Sequence, residues 1–237
     1  MINKADLVAK FKQALDDHWG YIWGTTGEMW TAAKQAALEK TTDADRALSR
    51  KYGSKWIGHM VADCSGLFYW AFKQLGGYMY HGSNTMWDKY CTSKGELING
   101  RRDDGQDLLP GTAVFTYNET TKKRGHVGLY IGDGLVIEAA GTKEGVITSK
   151  ITGKWEEWGE LKGVDYGGDT PVPEGYAIVT GKRVALRTAP TTQASVITRV
   201  DTGKQVKLEN PPPCEWDYVS FQGKKGWMMK EFLKEGN

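Results

Sequence analysis

No stretch of this chain is apolar for the roughly 18 residues that a membrane-spanning helix requires. Its first residues, Met1-Ile2-Asn3-Lys4-Ala5-Asp6, lack a basic segment running into an apolar one. This predicts no secretory signal, and so a chain made soluble in the cytoplasm that something else must release if its substrate lies outside. Cysteine is scarce and odd in number: Cys64, Cys91 and Cys214, with no C-x-x-C spacing. A disulfide framework and a structural zinc site are therefore both disfavoured. Four histidines are present without an H-E-x-x-H cluster, so no metal and no other cofactor is expected. A net charge of +2 does not support nucleic-acid binding. No internal repeat is visible. Against these absences stand 10 Trp and 30 Gly, which suit short strands, turns and aromatic surfaces.

Residues 163–175, rich in Gly, Pro and Asp and without periodicity, read as a linker. Before it, helices come first. Leu7, Val8, Phe11, Ala14 and Leu15 repeat at helical spacing behind Asn3 as N-cap, with Asp6 in the first turn. Weaker helical patterns cover Met29 to Leu38 and Ala44 to Ser49. A strong apolar stripe runs through Leu67, Phe68, Ala71, Phe72 and Leu75 and stops at Gly76-Gly77. Residues 78–108 give no readable pattern. Strands are predicted at Ala113–Tyr117, Val127–Ile131, Leu135–Ala139 and Gly145–Ser149. Helices first and strands later imply an α+β domain. After the linker, six short strands between Ala177 and Met228 fit a small all-β barrel. Residues 176–237 hold ten Lys/Arg against six Asp/Glu, so this part carries +4 and the remainder −2. A basic small domain suits an anionic polymer.

Cys64 stands where the apolar helical stripe begins. The unpaired N–H groups and the dipole of a helix N-terminus favour an anion there, which predicts a lowered thiol pKa. The same N–H groups could hold an oxyanion. The competing reading is a buried structural cysteine. The polar flanks Asp63, Ser65 and Gly66 weigh against it.

His126 opens a predicted hairpin. Val127, Leu129 and Ile131 form one apolar face, and Leu135, Ile137 and Ala139 another; both must face one core. A three-residue loop, Gly132-Asp133-Gly134, pairs Ile131 with Leu135, Leu129 with Ile137 and Val127 with Ala139. Gly128 then opposes Glu138, and His126 lies diagonal to Glu138, roughly 7–8 Å away between Cα atoms. Glu138 can thus orient the imidazole as the third member of a catalytic set. The bland alternative is a pair of solvent-facing residues on a half-buried sheet. His59 lies near Cys64 in sequence and is a candidate to support it. His18 and His81 carry no assignment.

These pieces resemble the NlpC-type family of bacterial cell-wall cysteine peptidases: Tyr21-Ile22-Trp23-Gly24, Asp63-Cys64-Ser65-Gly66, Leu109-Pro110-Gly111, Gly125-His126-Val127-Gly128-Leu129-Tyr130-Ile131-Gly132 and Val136-Ile137-Glu138-Ala139. The resemblance covers roughly residues 3–160. It implies a papain-like cysteine peptidase fold with Cys64 as nucleophile, His126 as general base, and Tyr21, Asp63 and Ser65 near the bound peptide, Asp63 and Ser65 holding a free amino end. Two departures stand out. The third position is commonly His, Asn or Gln, and here it is Glu138. A long insertion separates Tyr21-Ile22-Trp23-Gly24 from Cys64. The C-terminal part resembles bacterial SH3-like wall-binding modules through Val184-Ala185-Leu186-Arg187, Val206-Lys207-Leu208, Trp216-Asp217-Tyr218-Val219 and Lys225-Gly226-Trp227-Met228. The expected layout is a catalytic domain over residues 1–162, a linker over 163–175 and an SH3-like domain over 176–237. The expected activity is thiol-dependent cleavage of peptidoglycan stem peptides, at the bond between the D-glutamate γ-carboxyl and a diamino acid. An N-acetylmuramoyl-L-alanine amidase, an acyltransferase, and a silent wall-binding or phage tail protein are the alternatives. The layout further suggests a phage or prophage lysin.

Overall fold

The computed structural model describes residues 1–166, 175–181, 183–201, 204–209 and 216–235. The chain divides into two compact units, 1–166 and 167–237.

In the first unit, α1 (Lys4–Asp16) starts where Asn3 accepts the Ala5 N–H at 2.7 Å. It buries Leu7, Val8, Phe11 and Ala14, the stripe read from the sequence. Thr26–Met29 forms a strand paired with Met60–Ala62. Helix α2 (Ala32–Glu39) therefore starts later than its apolar pattern suggests, capped by Thr31. Then come α3 (Ala47–Tyr52) and α4 (Cys64–Gln74), the latter burying Leu67, Phe68, Ala71 and Phe72.

The sheet of this unit has seven antiparallel strands: β1 (Cys91–Ile98), β2 (Arg101–Arg102), β3 (Ala113–Asn118), β4 (Lys123–Gly132), β5 (Leu135–Gly141), β6 (Gly145–Lys150) and β7 (Glu157–Leu161), in the order β2-β1-β7-β3-β4-β5-β6. One face packs on α1 and α4 through Phe115, Val127, Leu129, Ile137 and Ala139. The other is also covered, by a cluster of Leu97, Val114, Val136, Ile151, Trp155 and Trp158. The sheet is thus buried on both sides, and the solvent-facing alternative for His126 and Glu138 falls away: Glu138 is 1% exposed.

The β4–β5 turn is tighter than the three-residue loop expected. Gly132 pairs with Leu135, and Asp133 and Gly134 both have positive φ, the geometry that favours Asp-Gly in a two-residue hairpin turn. A bulge between Tyr130 and Gly132 absorbs the odd residue, so Leu129 still opposes Ile137.

The predicted linker begins too early. Val164 is buried, and Val164–Asp165 pairs with Ile2–Asn3. The Tyr166 hydroxyl donates to Gly111 O at 2.9 Å and accepts from Leu161 N–H at 2.8 Å. Residues 163–166 belong to the first unit, because these contacts tie them to it; 167–174 lie outside the described residues.

The second unit is all-β: β8 (Tyr176–Val179), β9 (Val184–Arg187), β10 (Val196–Val200), β11 (Gln205–Leu208), β12 (Trp216–Phe221), β13 (Lys224–Met229) and β14 (Leu233–Glu235), antiparallel in the order β10-β9-β13-β12-β11-β8-β14. Its core is Ala177, Val179, Val184, Leu186, Val200, Val206, Val219 and Met228. Cys214 lies outside the described residues; Cys64 and Cys91 are free thiols. No helix among the described residues is long and apolar enough to cross a membrane.

Candidate active site

Helix α4 begins at Cys64 because Asp63 caps it. Asp63 has extended backbone, and its Oδ1 accepts the Gly66 N–H at 2.7 Å and the Ser65 hydroxyl at 3.2 Å. A Cβ at Gly66 would stand 1.9 Å from Thr25 O, so glycine lets the 21–25 segment lie directly on the helix start. Asp63 Oδ2 accepts the Gly24 N–H at 2.9 Å and His81 Nε2–H at 2.7 Å. Both Asp63 oxygens are therefore committed, in a residue only 6% exposed. His81 comes from the stretch that sequence could not read, and this bond raises its pKa.

Cys64 is half-buried. Its sulfur meets the backbone N–H groups of Cys64 and Ser65 at the helix start and of Val127 in β4, the residue after His126. These donors favour thiolate. Burial, and then the adjacent Asp63 carboxylate, oppose them more strongly and push the thiol up to about 12. This corrects the lowered pKa expected from the helix terminus. The polar residues flanking Cys64 are themselves buried, and the capping carboxylate cancels what the dipole offers. Tyr21 packs partly buried beside this group; burial, Cys64 and Asp63 together raise its phenol.

His126 Nε2 lies 2.6 Å from Glu138 Oε2, the contact the register argument anticipates. The ionised carboxylate accepts, so Nε2 carries the proton and Nδ1 is the basic nitrogen of the neutral ring. Burial alone would raise the Glu138 pKa. Hydrogen bonds from His126, Lys154 and Ser149 overcome it and hold the carboxyl at about 2. Lys154 Nζ reaches the same Oε2 at 2.5 Å. Trp155 stacks on the imidazole, centroids 5.6 Å apart at 20°. Gly128 makes room for that ring: a Cβ there would be 2.7 Å from the Trp155 indole.

Cys64, Ser65, Asp63 and Tyr21 thus converge at one end of α4, with His126 and Glu138 on the adjoining strands. His59 does not join them; it packs edge-on against Trp56. His81, Lys154 and Trp155 escaped the sequence reading. Lys154 lies 16 residues beyond Glu138 and past a turn, a spacing with no motif of its own. Among the described residues no group of three His, Cys, Asp or Glu is placed to hold a metal ion.

A thiol at a helix start, a histidine on a neighbouring strand and a buried carboxylate behind it, followed by a small all-β unit, define a papain-like module joined to an SH3-like one. Residues 49–159 match the NlpC/P60 family and residues 182–234 the bacterial SH3 domain, so the chain carries an NlpC/P60 domain and a bacterial SH3 domain. A probable endopeptidase of Corynebacterium glutamicum is 34% identical over 113 residues, covering 45% of this chain and 47% of that protein. One of Mycobacterium tuberculosis is 33% identical over 78 residues, covering 33% of this chain and 17% of its own length. The chain spans about half or less of the curated relatives it matches. Among solved structures, the peptidoglycan hydrolase RipB of Mycobacterium tuberculosis aligns with a TM-score of 0.40 at 19% identity, over 66% of this chain and 65% of that one.

Proposed function

We propose that this chain is a thiol-dependent peptidoglycan endopeptidase using Cys64, His126 and Glu138. The observation that carries the reading is the His126–Glu138 bond on two strands against which the helix that begins at Cys64 packs. Because burial keeps the thiol protonated, His126 Nδ1 takes its proton as sulfur attacks the carbonyl, rather than beforehand. The N–H groups around the sulfur are placed to hold the oxyanion. Glu138 stabilises the imidazolium, which returns the proton to the leaving amine, and water then resolves the acyl-enzyme.

For the bond cleaved, we favour the one between the D-glutamate γ-carboxyl and a diamino acid. The family resemblance assigns recognition of a free amino end to Asp63 and Ser65. Here Asp63 already accepts from Gly24, Ser65, Gly66 and His81. Selecting an ammonium through Asp63 would require one of those bonds to open. The test is mass spectrometry of purified walls and of stem peptides with free or blocked amino ends, treated with the parent chain and with Cys64→Ala. New peptide termini from the parent alone support the reading and name the bond. Equal cleavage by Cys64→Ala would refute it. Release of stem peptides from muramic acid would instead identify the amidase. Residues 176–237 we assign to wall binding.

A further inference from the structure

The second unit gathers three arginines on one small surface. Ala185 and Arg187 alternate with Val184 and Leu186, which enter the core, along β9, and Arg183 stands just before the strand. In register across the ladder, Arg199 of β10 opposes Ala185. The three guanidinium-bearing residues therefore surround the smallest side chain on that face. They line a cavity of about 220 Å³ whose other walls include Trp216, Met229 and Phe232.

Like charges gathered on adjacent strands repel one another, so the arrangement costs stability unless something answers it. Nothing described in the unit does. Its ion pairs among the described residues use lysines: Lys207 and Lys225 with Glu209, and Lys230 with Asp217. The arginines instead donate to neutral carbonyls, Arg187 Nη1 to Ala194 O at 2.7 Å and Arg199 Nη1 to Arg183 O at 3.2 Å. Those bonds orient Arg187 and Arg199, and no ion pair among the described residues compensates the charge of the three arginines. Arg183 also has φ +51°, a left-handed backbone that non-glycine residues seldom adopt. Guanidinium forks match planar oxyanions and bind them in pairs of hydrogen bonds. The cavity is below the roughly 300–1,000 Å³ of clefts that enclose whole small ligands. It suits one anionic group with a short apolar neighbour against Trp216 and Phe232.

We propose that this cavity is an anion-binding site of the SH3 unit that takes a single oxyanion of a wall polymer, a carboxylate or a phosphodiester. Its wall-directed part rests on the wall-binding reading of that unit. The test uses the full chain carrying Cys64→Ala, so that the wall stays intact, with and without Arg183→Gln and Arg199→Gln together. Both arginines are exposed and remote in sequence from the catalytic residues. Sedimentation with purified Gram-positive walls should show the double variant at least tenfold weaker, with most of the salt dependence gone. Its circular dichroism should match the parent, and its melting temperature should be no lower, because the substitutions relieve like-charge repulsion. If the difference disappears on walls stripped of phosphate polymers, the ligand is the phosphodiester. If it disappears on carboxyl-amidated walls, the ligand is the carboxylate. Equal binding by the variant on native walls overturns the proposal. A second measurement is independent of the wall. Inorganic phosphate or acetate should shift the NMR signals of the Trp216 indole and the arginine side chains in the parent and not in the variant. Such shifts without wall binding would sink the wall-binding reading and leave the site standing. No shifts with either anion would sink the site.

Discussion

Glu138 brings His126 and Lys154 to a single carboxylate oxygen, at 2.6 and 2.5 Å. Burial alone would raise that carboxyl, and the Lys154 bond is one of those that hold it at about 2. A carboxylate held low stabilises the fold above its unfolded pKa, and that stability is lost as pH falls toward about 2. Lys154→Met should therefore lower the melting temperature at neutral pH and flatten its fall in acid, an effect kept small by solvent because Lys154 is about half exposed. In a Glu138→Gln background the same substitution should change nothing, since no charge remains to hold. An unchanged melting profile in the single variant would dismiss Lys154 as a tuning residue. The other groups facing this site are Cys64, Tyr21, Asp63 and His81, and the double comparison holds them constant. The thiol makes its own pH prediction. Its pKa is raised, so the unliganded protein should be alkylated slowly by iodoacetamide at neutral pH, faster as pH climbs toward about 12. Asp63→Asn removes the neighbouring charge and keeps a capping oxygen, so it should move that curve to lower pH. Cys64, His126 and Glu138 were legible at this scale because each sits inside a pattern: a helix start, or a strand face with fixed parity. The direction of the thiol shift was not. It depends on how deeply Asp63 and Ser65 are buried, which polar residue types do not announce.

At the scale of elements, the hairpin shows which part of a sequence pattern is binding. The loop is one residue shorter than the pattern suggests, yet Leu129 opposes Ile137 as expected, because two apolar faces must share a core and the bulge near Ile131 absorbs the difference. The stripes of α1 and α4 were readable for the same reason. Strand β1 was not, because its residues, Cys-Thr-Ser-Lys-Gly-Glu-Leu-Ile, are mostly polar and only Leu97 is buried. Its place is set by pairing with β7, a partner more than 50 residues on. Gly128 ties element packing to the site. Gly128→Ala would bring a Cβ to 2.6 Å from Val136 and 2.7 Å from Trp155, in a cluster already filled. Overpacking of this kind costs about 1–3 kcal/mol. The expected outcome is a lower melting temperature together with reduced kcat, as Trp155 is driven off the His126 ring. Adding Trp155→Phe should recover the stability by returning space. If Gly128→Ala melts like the parent, Trp155 has room to move and the packing argument is wrong.

Two compact units, each with its own apolar core, predict two separable foldings in the whole molecule. The first ends with Tyr166 tied into its core by two hydrogen bonds, so a fragment cut at 162, where composition alone sets the boundary, would lose Val164 and Tyr166. Residues 1–166 should fold, and residues 1–162 should melt lower. Burying Val164 and pairing it with Ile2 accounts for a deficit of about 1–3 kcal/mol. The longer fragment should cleave soluble stem peptides at the rate of the full chain, because every residue assigned to catalysis lies within it. On insoluble walls at low enzyme concentration it should be slower if residues 176–237, with the +4 charge, bind the wall as proposed. That difference should shrink as salt is raised, by screening of the basic unit. If the fragment were equally slow on soluble peptides, the second unit would be shaping the catalytic cleft and not merely holding the enzyme to its polymer. If it were equally fast on walls, the SH3 unit would have some task other than retention.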